Sequence, residues 1–160
     1  MRLRRLPLTF ACLACFVVSI CRSADVEFVR VWPGWRNAES FETISEYFTG
    51  REHHGSHVVL RTHPDARAGF YFLVRVANSG GARANAQFTL QVITPDSPDP
   101  KTYQFPVDLP DRGTVYQLGL TGPAWPDSSA HPVAWKLELK AADGARLASA
   151  QSFLWEKPAK

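Results

Sequence analysis

Four of the five histidines of this 160-residue chain fall within eleven residues, His53 to His63, in the stretch Arg51-Glu-His-His-Gly-Ser-His-Val-Val-Leu-Arg-Thr-His-Pro64. Imidazoles so close in sequence raise metal coordination first, which needs three or four donors about 2 Å from one point. Val58 to Thr62 reads as a strand, and at about 3.3 Å per residue it holds His57 and His63 roughly 20 Å apart. They cannot share an ion. His53 and His54 point apart in extended chain, whereas His54 and His57 could close on a metal across a Gly55-Ser56 turn, with Glu52 or His131 as a third donor. His54 and His57 are therefore the candidate metal ligands of the His53–His57 segment. A hydrated loop running into a strand is the plainer account of the same residues. Ser56, His57 and Asp65 offer the groups of a hydrolase, but neither a Gly-x-Ser-x-Gly elbow nor an oxyanion-hole signature accompanies them. Walker loops, dinucleotide fingerprints and His-Glu-x-x-His helices are absent as well. The expectation is a protein that is not an enzyme and carries no cofactor.

The aromatic residues are the second source of chemistry. Trp32-Pro-Gly-Trp35-Arg36 and Ala124-Trp125-Pro126 read as turns, and a tryptophan in a turn can stack on a sugar or anchor a protein partner. Trp32, Trp35, Arg36 and Trp125 are accordingly the candidate binding residues. The alternative is that these rings close the ends of the fold. Trp135 alternates with Leu137 and Leu139 and reads as core. Glu39, Glu42 and Glu46 share one side of a predicted helix, where an ordinary solvated face explains them better than paired-carboxylate catalysis. Asp96 and Asp99 lack the alternating ligands and central glycine of a calcium loop.

What must position these residues follows from the rest of the chain. Arg2, Arg4 and Arg5 precede an apolar run from Leu6 to Ile20, and small residues at Cys21 and Ser23 set a cut before Ala24. That is the pattern of a Sec-type signal peptide over 1–23, leaving one domain over 24–160. The apolar run falls short of the roughly 20 residues that span a bilayer, and no later segment approaches it, so the mature chain is expected to lack a transmembrane segment. The predicted location is periplasmic or secreted. Anchoring as a lipoprotein would need Cys15 or Cys21, and neither follows the usual Leu-Ala-Gly type of lead-in.

Export also changes the charge. The full chain carries 18 Lys and Arg against 15 Asp and Glu, a net +3; losing Arg2, Arg4, Arg5 and Arg22 leaves 14 against 15, a net −1. Nucleic-acid binding by phosphate neutralisation is not expected of such a domain. All three cysteines, Cys12, Cys15 and Cys21, leave with the leader, so the mature core has no disulfide to support it.

Period-two alternation dominates after Val58. Gln87 to Val92 and Trp135 to Lys140 alternate apolar and polar residues, and further strands are predicted at Val26 to Trp32, Phe70 to Ala77, Thr102 to Val107 and Val115 to Leu120. Asp143-Gly144 suits a two-residue hairpin turn between Ala134–Ala142 and Ala145–Trp155. Thr94 to Pro100, with three prolines, reads as a stiff loop. One short α-helix is predicted at 38–49, with Asn37 as its cap, Phe41, Ile44 and Phe48 on its apolar side and Gly50 ending it. Some seven to eight short strands with connections too brief for crossover helices imply an antiparallel β-sandwich.

The stretch Phe70-Tyr-Phe-Leu-Val-Arg-Val-Ala-Asn-Ser-Gly80, followed by Ala84-Asn-Ala-Gln-Phe-Thr-Leu-Gln-Val92, resembles the strand, Asn-x-Gly turn, strand unit of bacterial immunoglobulin-like domains in envelope and adhesion proteins. The resemblance implies an immunoglobulin-like sandwich and no activity. The functional expectation is a non-catalytic binding or scaffolding module with an envelope or extracellular protein as partner. Carbohydrate binding through the turn tryptophans is the alternative, and metal binding at His53–His57 the third.

Overall fold

The computed structural model describes residues 25–42, Glu46 and residues 55–156. Eight strands form two four-stranded sheets: β1 (Val26–Arg36), β2 (His57–Arg61), β3 (Gly69–Asn78), β4 (Arg83–Thr94), β5 (Ser97–Leu109), β6 (Thr114–Thr121), β7 (Ala134–Lys140) and β8 (Arg146–Gln151). The first sheet has the order β1-β3-β6-β2 and the second β5-β4-β7-β8. All neighbours are antiparallel except β2 and β6, which run parallel. Every predicted strand is present, so the all-β, two-sheet expectation is met.

The alternation in sequence explains which faces meet. Phe70, Phe72, Val74 and Val76 of β3 and Tyr116, Leu118 and Leu120 of β6 turn inward from the first sheet. Phe88, Leu90 and Val92 of β4 with Leu137 and Leu139 of β7 meet them from the second. Rings bridge the layers: Phe88 lies 5.1 Å from Tyr116 and 6.1 Å from Phe28, and Trp135 sits edge-on to Phe72 at 5.6 Å. Each fully buried aliphatic or aromatic side chain here stabilises the fold by about 1.5–3 kcal/mol, which is what a core without disulfides relies on.

Four local expectations need correction. The predicted helix is replaced at its start by a single 3-10 turn, Ala38–Phe41; Asn37 makes no side-chain cap, and Glu42 leaves in extended backbone (φ −72°, ψ 129°). Phe41 is instead drawn onto the first sheet. The rest of that span, Glu46 apart, lies outside the described residues. Trp32-Pro-Gly-Trp35-Arg36 is no turn but the second half of β1, an edge strand, where Pro33 costs no ladder hydrogen bond. Thr94 to Pro100 is mostly strand: Thr94 pairs with Ser97 across Pro95-Asp96, and the other two prolines ride on edge strand β5. Between β7 and β8 three residues, Ala142 to Gly144, turn rather than two, with Gly144 N–H donating to Ala141 C=O at φ +82° and Ala141 N–H donating to Ala145 C=O. A glycine in that left-handed position after the turn makes a bulged hairpin.

The Asn-Ser-Gly turn after β3 is held by Asn78. Its amide donates to Gly81 C=O at 2.8 Å and Pro110 C=O at 2.6 Å, while its oxygen accepts from Gly80 N–H at 3.0 Å. The positive φ falls on Gly81 (+87°), and Gly80 is needed for room, since a β-carbon there would meet Asp25 Cβ at 2.6 Å. One lateral side of the two layers is closed by β1 lying against β8. Among the described residues the other side, between β2 and β5, is open. Among the described residues no helix is long and apolar enough to cross a membrane.

Candidate functional site

Strand register assembles a site on the outer face of the first sheet. With Phe70, Phe72 and Val74 inward, Tyr71, Leu73 and Arg75 must face out, and their partners follow. One outward row is Gly34, Tyr71, Gly119, Arg61. The next is Trp32, Leu73, Gln117, Val59, and the next Arg30, Arg75, Val115, His57. No two strands that pair in this sheet are consecutive in the chain, so no short motif encodes the face.

Tyr71 is its most buried member, with no exposed surface. Its ring lies across Gly119, where a β-carbon would run into the ring, with Cζ only 2.7 Å away. The Tyr71 hydroxyl donates to Arg67 C=O at 2.6 Å and accepts from Arg61 Nε at 2.8 Å. Phe41 closes over it, 4.8 Å between centroids, and the guanidinium groups of Arg61 and Arg36 stand 4.9 and 5.6 Å from the Phe41 ring. Arg67 forms an ion pair with Glu46. Cations against an aromatic face contribute about 0.5–1 kcal/mol each at such half-open positions.

Gln117, 5 % exposed, joins two residues singled out from sequence. Arg36 Nη1 donates to its Oε1 at 3.3 Å, and its Nε2 lies 3.0 Å from His57 Nδ1. Arginine can only donate, so the amide oxygen must face Arg36 and the amide nitrogen His57. His57 Nδ1 then accepts, and its ring proton sits on Nε2.

The described histidines do not gather at one point. His54 lies outside the described residues. His57 is engaged with Gln117, His63 Nδ1 with Thr121 C=O at 2.9 Å, and His131 stands edge-on to Phe70 at 6.0 Å. Among the described residues no three His, Cys, Asp or Glu side chains converge to hold a metal.

The tryptophans separate likewise. Trp32 and Trp35 are three residues apart on one strand and so occupy opposite faces: Trp32 points out, 42 % exposed, with Arg30 Cζ 4.7 Å over its ring, while Trp35 packs inward against the core. Trp125 is 4 % exposed and lies tilted against Phe70, 4.9 Å between ring centroids, behind a 3-10 turn at Gly122–Ala124. Its ring is not presented at the surface. Of the candidate binding residues the outer face keeps Trp32 and Arg36. Phe41, Tyr71, Gln117, Arg30 and Arg75 were missed, because only pairing between distant strands places them there.

A second feature borders this face. At the open side, Val58 and Leu60 of β2 face Pro106 and Val107 of β5 across a groove of about 390 Å³, with Asn85 and Asp108 at its rim. Thr62 N–H donates to Gly119 C=O, so by alternation Val58 and Leu60 bond to β6 and Val59 turns its N–H and C=O to the open side. Among the described residues nothing pairs with that edge.

No family model, curated protein or solved structure matches the chain.

Proposed function

We propose that this chain is an exported, non-catalytic binding module of the bacterial envelope, with a protein partner and an immunoglobulin-like fold. The fold reading is supported by strand order: β1-β3-β6 corresponds to the A, B and E strands of that architecture and β5-β4-β7-β8 to C′, C, F and G. The departure is β2, which lies beside the E position but runs parallel to it. The observation that carries the function is the β2 edge, with which nothing pairs among the described residues, above a groove lined by Val58, Leu60, Pro106 and Val107 together with Asn85 and Asp108. Such an edge offers main-chain partners and side-chain pockets together, the two requirements of strand addition by a protein segment. The carbohydrate alternative asks for several exposed, coplanar indoles. Trp32 faces out while Trp35 and Trp125 point into the core, so that platform is not assembled.

The test is Val59→Pro. Its N–H makes no ladder bond to β6, so proline removes the outward donor without breaking the sheet. Residues 24–160, wild type and variant, are cross-linked in envelope extract and bound proteins quantified, with circular dichroism confirming that the variant is folded. Partners captured by wild type should be lost from the variant. Retention of all of them by a folded Val59→Pro protein overturns the edge reading.

A further inference from the structure

The outer face carries an arrangement that costs stability as it stands. Arg30 and Arg75 are direct cross-strand partners on β1 and β3, both exposed and both facing out. Like charges directly opposite on one face of a sheet repel, with Cβ atoms only about 5 Å apart. Three other arginines are neutralised: Arg67 pairs with Glu46, Arg83 with Asp25 and Arg146 with Glu138. Arg30 and Arg75 have no carboxylate partner among the described residues. Arg30 is moreover held in place, its guanidinium 4.7 Å over the Trp32 ring. Apolar surface flanks the pair, with Val29 52 % and Trp32 42 % exposed and Leu73 and Val115 half-buried.

We infer that the Arg30–Arg75 pair and Trp32 recognise an acidic segment of a protein partner, one carboxylate lying between the two guanidinium groups and an apolar side chain lying on Trp32 and Leu73. The inference rests on the reading that the domain binds a protein. Two planar donor forks match the geometry of a carboxylate, and binding one converts the repulsion into two charge-assisted contacts. Arg30 and Trp32 are two residues apart on β1, roughly 7 Å, which is the spacing of successive same-side residues in an extended peptide. A free oxyanion would occupy the forks and leave Trp32, Leu73 and Val115 bare. An acidic residue followed two positions later by an apolar one uses both.

The probe is a fluorescein-labelled peptide of three Glu-Thr-Val-Thr repeats, with three Lys-Thr-Val-Thr repeats as its control, titrated by anisotropy against residues 24–160. Wild type should bind the acidic peptide and not the basic one, less tightly at higher salt. Arg30→Gln and Arg75→Gln should each weaken binding about tenfold, one charge-assisted contact being lost. Without peptide, Arg75→Gln should unfold at a temperature higher by roughly 1–3 °C, because the repulsion is gone. Unchanged affinity in both variants, or a lower unfolding temperature for Arg75→Gln, overturns the proposal. Full competition by millimolar inorganic phosphate, or preferential binding to phosphatidylglycerol vesicles, overturns the peptide as its ligand. The envelope cross-linking experiment separates this proposal from the one beneath it. Partners lost from Val59→Pro but kept by both arginine variants leave the protein-binding reading standing and sink the acidic site. Partners kept by all three variants sink both.

Discussion

Gly119→Ala is the substitution whose effect can be worked through most fully. The backbone at Gly119 is ordinary strand, so alanine alone would relieve about 0.5–1 kcal/mol of the entropy that glycine loses on folding. The new methyl would nevertheless occupy the Tyr71 ring position, with Cζ 2.7 Å and Cδ1 3.0 Å away. Tyr71 has no free direction in which to yield: Phe41 lies above it, and its hydroxyl is tied to Arg61 and Arg67. Overpacking of this kind costs about 1–3 kcal/mol, and displacing the hydroxyl forfeits about 1 kcal/mol for each hydrogen bond. The net loss should be about 2–3 kcal/mol, or very roughly 8 °C in Tm for a domain of this size. A double-mutant cycle in urea isolates the cause. Tyr71→Val removes the ring at a cost of about 3 kcal/mol, and in that background Gly119→Ala should be neutral or stabilising by up to about 1 kcal/mol. A coupling of about 3 kcal/mol is thus expected. Losses that add within about 0.5 kcal/mol would refute the account of Gly119 as the seat of the Tyr71 ring.

Two further outcomes test other parts of the fold. Asn78→Asp keeps the oxygen that accepts from Gly80 but sets a carboxylate against the carbonyl groups of Gly81 and Pro110. It should therefore cost about 2–4 kcal/mol in urea unfolding, and a loss under about 1 kcal/mol would contradict the turn's dependence on that amide. On the second sheet, hydrogen bonding from Lys136 first, opposed by partial burial and reinforced by Lys140, holds the Glu138 carboxyl below its ordinary value of 4.5. A lowered native value means stability that is complete above the unfolded pKa and lost as pH falls through the native one. Glu138→Gln should accordingly cost about 0.5–1 kcal/mol at pH 7, with the difference from wild type shrinking below pH 4.5. A gap independent of pH would show that the ion pairs around Glu138 are not its source.

The alternating stretches 87–92 and 135–140 announced β4 and β7 together with their buried faces, because a strand's side chains alternate whatever it pairs with. The histidine spacing likewise excluded His57 and His63 from one ion before any partner was known. Trp32 to Arg36 misled, since proline and glycine mark turns in most contexts and edge strands in a few, and only the pairing partner distinguishes the two. The predicted helix failed at its start for a related reason. Phe41 has a better place to go, on Tyr71, than a local apolar stripe could offer.

Composition and periodicity by themselves determined that the chain is β-rich and that its core alternates along each strand, because these properties depend on neighbours within a few residues. Tertiary structure alone decided that Arg30 stands opposite Arg75, that Gln117 joins Arg36 to His57, and that nothing among the described residues pairs with the outer edge of β2. Those juxtapositions depend on strand order and register, which join residues 45 to 81 positions apart, and a one-residue slip in register would have sent each of these side chains to the opposite face.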